Sequence, residues 1–241
     1  MSETTQEPPD PTRNPRRLRR RLGLTAVVLV GLVAVVGAGT FASFNVASKN
    51  PGNQFADGTL VLSNTKDSGT ACLSTGGGTT DVNANNACEQ LFGLSVRKPG
   101  DSSSTNVTIR NEGSLPASAL KVFSAACANA DVATETYHGT GNPCAQIQLT
   151  IQRYTNSSFT TPAECVYGGG NGTTCDFSDA TKTLAAFQSA YGSSGAGKAI
   201  GSGLASGASS YLKVSVLLPA GSDNSFQGRQ ATADLTWYAE Q

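Results

Sequence analysis

A charge step near the N-terminus constrains this chain more than any other feature. Six arginines (Arg13, Arg16, Arg17, Arg19, Arg20 and Arg21) stop abruptly at a stretch with no charged residue from Leu22 to Val46. That stretch closes on Gly37-Ala38-Gly39-Thr40-Phe41-Ala42-Ser43. A basic segment, an apolar segment and a small-residue exit are the three parts of an export signal. The arginines stay on the cytoplasmic side, so whatever folds downstream folds outside. The exit places cleavage after Ala42 or Ser43 and leaves Phe44 as the new N-terminus. Leu22 to Phe44 also reaches the ~20 residues of a retained membrane anchor. Gly31, Gly37 and Gly39, and the absence of a second basic cluster, favour cleavage over that alternative.

The chain thus divides into a basic leader at 1–21, an apolar signal at 22–43 and one exported domain at 44–241. The leader opens MSETTQEPPDPTRNP, too polar and Pro-rich to bury a core, and is expected to be disordered. Six of the chain's 17 basic residues and three of its 17 acidic ones precede Phe44, so the exported part is net acidic. An acidic domain without a basic run argues against nucleic acid as a partner. Contact with a membrane is expected only through the signal segment.

All six cysteines (Cys72, Cys88, Cys127, Cys144, Cys165 and Cys175) fall in the exported part. An even count in an oxidising compartment reads as disulfides. Neighbouring positions suggest Cys72–Cys88, Cys127–Cys144 and Cys165–Cys175, each closing a loop rich in Gly, Asn and Thr. Such loops carry little apolar surface, and closing ~15 residues contributes about 3 kcal/mol in the chain-entropy picture. Zinc is the rival, but no Cys-x-x-Cys is present and His138 is the single histidine.

Period-2 alternation marks the strands. Ile147 to Tyr154 is the cleanest case, with Ile147, Leu149 and Ile151 on one face and Gln148, Thr150 and Gln152 on the other. Asn106–Arg110, Ala119–Ala125 and Tyr211–Leu218 alternate in the same way. Thr59–Ser63, Leu91–Arg97 and Ala231–Ala239 are further strands. Thr183 to Tyr191 reads as one short helix, since Leu184, Phe187 and Tyr191 share a face. The stretches 64–87, 127–144, 156–179 and 193–210 read as exposed loops. The expected fold is all-β: an antiparallel sandwich of jelly-roll or immunoglobulin-like type with long disulfide-bearing loops.

Little catalytic chemistry is on offer. No G-x-S-x-G accompanies His138, and His-Glu-x-x-His is absent. Asp176 and Asp179 lack the ligand-rich loop of a calcium motif. No catalytic residue, metal site or cofactor is expected.

Several segments resemble, in order, the TasA/camelysin family of exported bacterial proteins. They are Thr40-Phe41-Ala42-Ser43-Phe44, the run Phe55 to Ser63, Lys98-Pro99-Gly100-Asp101, the run Val107 to Leu115, and Asn224 to Gly228. The resemblance implies processing by the signal peptidase SipW, a jelly-roll-like sandwich, and a role in biofilm matrix or at the cell surface. Some members of that family form fibres, and the camelysin branch carries a metallopeptidase label. This chain departs from the family in its arginine-rich leader and its cysteine-bearing loops. The leading expectation is a secreted or surface-attached structural subunit that self-associates. The alternatives are a metalloendopeptidase and a surface adhesion or ligand-binding module. Phe44 to Ser48 alternates, with Phe44 and Val46 on one face, and could add as a strand to a neighbour's sheet.

Overall fold

The computed structural model describes residues 58–77, 83–93 and 98–241. The leader, the apolar segment, the cleavage residues Ala42, Ser43 and Phe44, and the assembly strand with Val46 lie outside the described residues. So do the last four residues of the expected Leu91–Arg97 strand, and Leu91 to Gly93 pair with no strand.

The described residues form an antiparallel β-sandwich. Its larger sheet contains β1 (Leu62–Lys66), β2 (Cys72–Leu73), β3 (Ser102–Asn111), β6 (Gln148–Tyr154), β7 (Pro162–Tyr167) and β11 (Ser209–Leu217). Their spatial order is β2-β1-β3-β11-β6-β7. The smaller sheet orders β10 (Lys198–Ala199), β4 (Ala119–Phe123) and β13 (Thr236–Glu240). Two ribbons complete the fold: β5 (Cys127–Asp131) with β12 (Arg229–Ala233), and β8 (Gly169–Gly170) with β9 (Cys175–Asp176).

The core lies where the alternating apolar faces meet. Val107, Ile109, Leu149, Ile151, Leu212 and Val214 come from the larger sheet, and Leu120 and Val122 from the smaller. Each such side chain contributes ~1.5–3 kcal/mol when fully buried. The short helix α2 (Leu184–Ala190) closes one side of this core with Phe187, which is 0 % exposed. Thr183 starts the helix, its hydroxyl accepting from Ala186 N at 3.2 Å. Phe187 meets Tyr167 edge-on with ring centroids 4.9 Å apart, and Tyr191 packs beside both.

The crossover from β3 to the smaller sheet turns on Asn111, which is wholly buried. Its Nδ2 donates to Leu115 O and Leu204 O, and its Oδ1 accepts from Gly113 N at 3.0 Å. Gly113 lies so close to the chain at 59–61 that a Cβ there would stand 2.1 Å from Thr59 O. Only glycine fits that approach.

Several expectations change. The first strand is Leu62–Lys66 rather than Thr59–Ser63, because it pairs with β3 from Leu62 opposite Asn111 to Lys66 opposite Val107. The stretches read as loops contain β2, β5, β7, β8, β9, β10 and the four-residue helix α1 (Pro143–Gln146). The 193–210 stretch is not simply exposed, since Ile200 and Leu204 are buried in the core. The final strand is two strands. Ser124, Ala125 and Ala126 separate β4 from β5, whereas only Asp234 and Leu235 separate β12 from β13. β12 pairs with β5 in a ribbon of its own and β13 with β4 in the smaller sheet, while the alternation of Ala231, Ala233, Leu235 and Trp237 on one face runs through both.

Candidate functional site

The largest correction concerns β6. Gln148, Thr150 and Gln152 form the polar side of the alternation, which in a sheet buried on one face only would meet water, yet they are 4 %, 5 % and 5 % exposed. The loop tied by the Cys165–Cys175 disulfide folds back over them. Gln152 holds this loop down: its Oε1 accepts from Cys175 N at 2.6 Å. Its Nε2 lies 2.8 Å from each of the carbonyls of Arg153, Glu164 and Thr173. A buried amide with partners on both ends replaces the water it has lost.

The other two disulfides are Cys72–Cys88 and Cys127–Cys144, the local pairing suggested by sequence position. Cys72–Cys88 ties β2 to the 83–93 segment, where Lys66 also meets Glu89 at 2.8 Å. Cys127–Cys144 ties β5 to α1, and Asn129 Oδ1 accepts from Cys144 N at 2.8 Å. Three disulfides suit a domain that matures in an oxidising, extracellular setting. Among the described residues no helix is long and apolar enough to cross a membrane.

The sheet edges differ in their protection. Strands β2 and β10 are two residues long, and Asn85 Nδ2 donates to Leu73 O beside β2. On β7, Cys165 N donates to Gly172 O at 3.0 Å, so the disulfide loop follows that edge. The five-residue strand β13 ends the smaller sheet, with no partner strand on its outer side among the described residues. It carries Tyr238, 37 % exposed, and Trp237, whose buried Nε1 has no hydrogen-bond partner among the described residues.

The titratable groups of the loops serve local turns. His138 is exposed, with Nε2 3.1 Å from Val132 O. Asp176 and Asp179 do not converge on a common site. Bonds from Ser178 hold the Asp176 carboxyl below its ordinary range, and bonds from Thr181 do the same for Asp179. Among the described residues no group of three or more His, Cys, Asp or Glu is arranged to hold a metal ion. Burial, with smaller contributions from Tyr191 and Asp179, pushes the Tyr167 hydroxyl up from 10.0 to about 12.

No protein-family model matches the chain, and no curated protein matches it. The site residues are therefore argued from their geometry alone. Two features escaped the sequence reading. Tyr154, Phe159 and Tyr211 group their rings, with Phe159 edge-on to both tyrosines at 5.8 and 6.1 Å. Beside them a small cleft is lined by Arg153, Tyr154, Ser210 and the 200–204 loop. The sequence signals were present but weak: a tyrosine directly opposite a tyrosine in neighbouring strands, and paired glycines at 201 and 203.

Proposed function

We propose that this protein is an exported structural subunit of the cell surface or extracellular matrix, acting by self-association rather than by catalysis. The observation that carries this reading is the β13 edge, along which no strand is bonded among the described residues, whereas the larger sheet ends in the two-residue β2 and in the loop-covered β7. An exposed edge offers unpaired N–H and C=O groups to another chain, and folds that do not use such an edge blunt it. The ordered resemblance to the TasA/camelysin family supports the same reading, as does the export signal.

In this reading signal peptidase releases Phe44, and the segment Phe44 to Ser48 adds as a strand to a neighbouring copy. Phe44 and Val46 share a face and contribute ~1.5–3 kcal/mol each if fully buried at the contact. The test compares a form beginning at Phe44 with one beginning at Lys49 by sedimentation and light scattering. Assembly of the first form only is the expected outcome. Equal assembly, with matching circular dichroism, would remove the segment from the mechanism.

A further inference from the structure

The loop that covers β7 turns at Asn171-Gly172-Thr173-Thr174, four exposed residues between β8 and β9. Asn171 is the one asparagine of the chain that a glycine follows. Its Oδ1 accepts from Thr173 N at 2.9 Å and from Thr174 N at 2.8 Å, which turns the carboxamide forward along the chain. Asn171 N donates to Thr174 O at 3.0 Å and closes the turn.

Two N–H groups on one carbonyl oxygen draw electrons from its carbon. They also stabilise the negative oxygen that forms when a nucleophile adds there. The nucleophile is next in the chain. Gly172 N has no acceptor among the described residues, and glycine has no side chain to shield it. A Cβ at Gly172 would meet nothing within 4 Å, so water and base reach the site. Attack by this neighbouring amide closes a succinimide ring without a second molecule, at an effective concentration that no free reactant reaches.

The step balances without an oxidant or a reductant. Gly172 N gives its proton to solvent base and bonds to Asn171 Cγ. The Cγ–Nδ2 bond breaks, and Nδ2 takes a proton from water and leaves as ammonia. Asn171 Nδ2 has no acceptor among the described residues, so its departure breaks no hydrogen bond. Water then opens the succinimide at either carbonyl. Cleavage between Gly172 N and Cγ gives aspartate. Cleavage between Gly172 N and the main-chain carbonyl carbon of residue 171 gives isoaspartate.

The second product changes the cover. Gly172 O accepts from Cys165 N at 3.0 Å, the bond that lays this loop along β7. Isoaspartate routes the main chain through Cβ and Cγ, one carbon longer, just before that carbonyl, and leaves a carboxylate beside it. We propose that Asn171 is a site of spontaneous deamidation, and that its isoaspartate form loosens the cover of β7. This inference does not rest on self-association or on the β13 edge.

The test ages the full chain at neutral pH and maps its unreduced peptides by mass spectrometry, with electron-transfer fragmentation to separate the two products. Asn171 converts about tenfold faster than Asn156 and Asn224, each followed by serine, and gives both aspartate and isoaspartate. Conversion is at least as fast in the folded protein as in the reduced chain in urea, because only the folded turn bonds Oδ1. Gly172→Ala slows conversion about tenfold by shielding the nucleophile. That variant keeps the fold, since Gly172 does not have a positive φ and its Cβ has room. In aged protein the Cys165 amide exchanges with deuterium faster than in fresh protein. The proposal is overturned if Asn171 stays intact, if aspartate forms without isoaspartate, or if unfolding speeds the conversion. An unchanged rate in Gly172→Ala, or equal exchange of the Cys165 amide in aged and fresh protein, overturns it as well.

Discussion

The β7 edge of the larger sheet and the β13 edge of the smaller one have similar lengths, six and five residues, and opposite surroundings. Along β7 the Cys165–Cys175 loop returns to bond the strand and bury the outer side of β6. Along β13 no strand or loop is bonded on the outer side among the described residues. The cover over β7 is made of Gly, Asn and Thr, which supply almost no apolar surface. Its attachment therefore rests on a covalent link and on the hydrogen bonds of Gln152. The contrast separates an edge held closed by its own loop from one along which no strand is bonded among the described residues.

The comparison breaks most severely if the cover is released. Replacing both Cys165 and Cys175 by Ala is expected to cost ~2–5 kcal/mol in denaturant unfolding. It should also increase association, since a second edge becomes open. A smaller effect is expected from Gln152→Leu, which leaves Cys175 N and its carbonyl partners unpaired beneath an intact disulfide. That variant should lose about 1–3 kcal/mol, and a loss near zero would mean that the disulfide alone holds the loop.

Tyr167 lies on the covered side, where its hydroxyl donates to Thr183 O at 3.3 Å. Its pKa is raised in the folded state, so its contribution is complete below pH 10 and is lost as pH rises from 10 towards 12. Alkaline unfolding followed by circular dichroism should show this window, and Tyr167→Phe should remove it. The smallest effect on stability belongs to the open edge. Tyr238→Lys should change unfolding by no more than ~0.5 kcal/mol while suppressing assembly, because an edge lysine opposes strand addition.

The parts of the fold legible in the sequence were those whose side chains alternate against a single core. β3, β6 and β11 carry Val, Ile and Leu at every second position, and α2 places Leu184, Phe187 and Tyr191 on one side. The short strands β5, β8 and β9 left no such trace, because disulfides rather than an apolar face hold them. Gln152 read as a solvated residue because alternation reports polarity, and says nothing of whether a polar group finds partners away from water. The cleft was hidden for a different reason. Arg153, Glu164 and Gly201 meet across separations of 11 and 37 residues, and no local pattern encodes that meeting.

The central claim is that β13 is the surface on which copies of this protein join. Hydrogen–deuterium exchange of the form beginning at Phe44, compared between dilute and assembled samples, tests it most directly. Slowed exchange of the amides of Thr236 to Glu240 on assembly, with the already protected β6 and β7 amides unchanged, is the predicted result. Assembly that leaves β13 exchanging at its dilute rate would contradict the account.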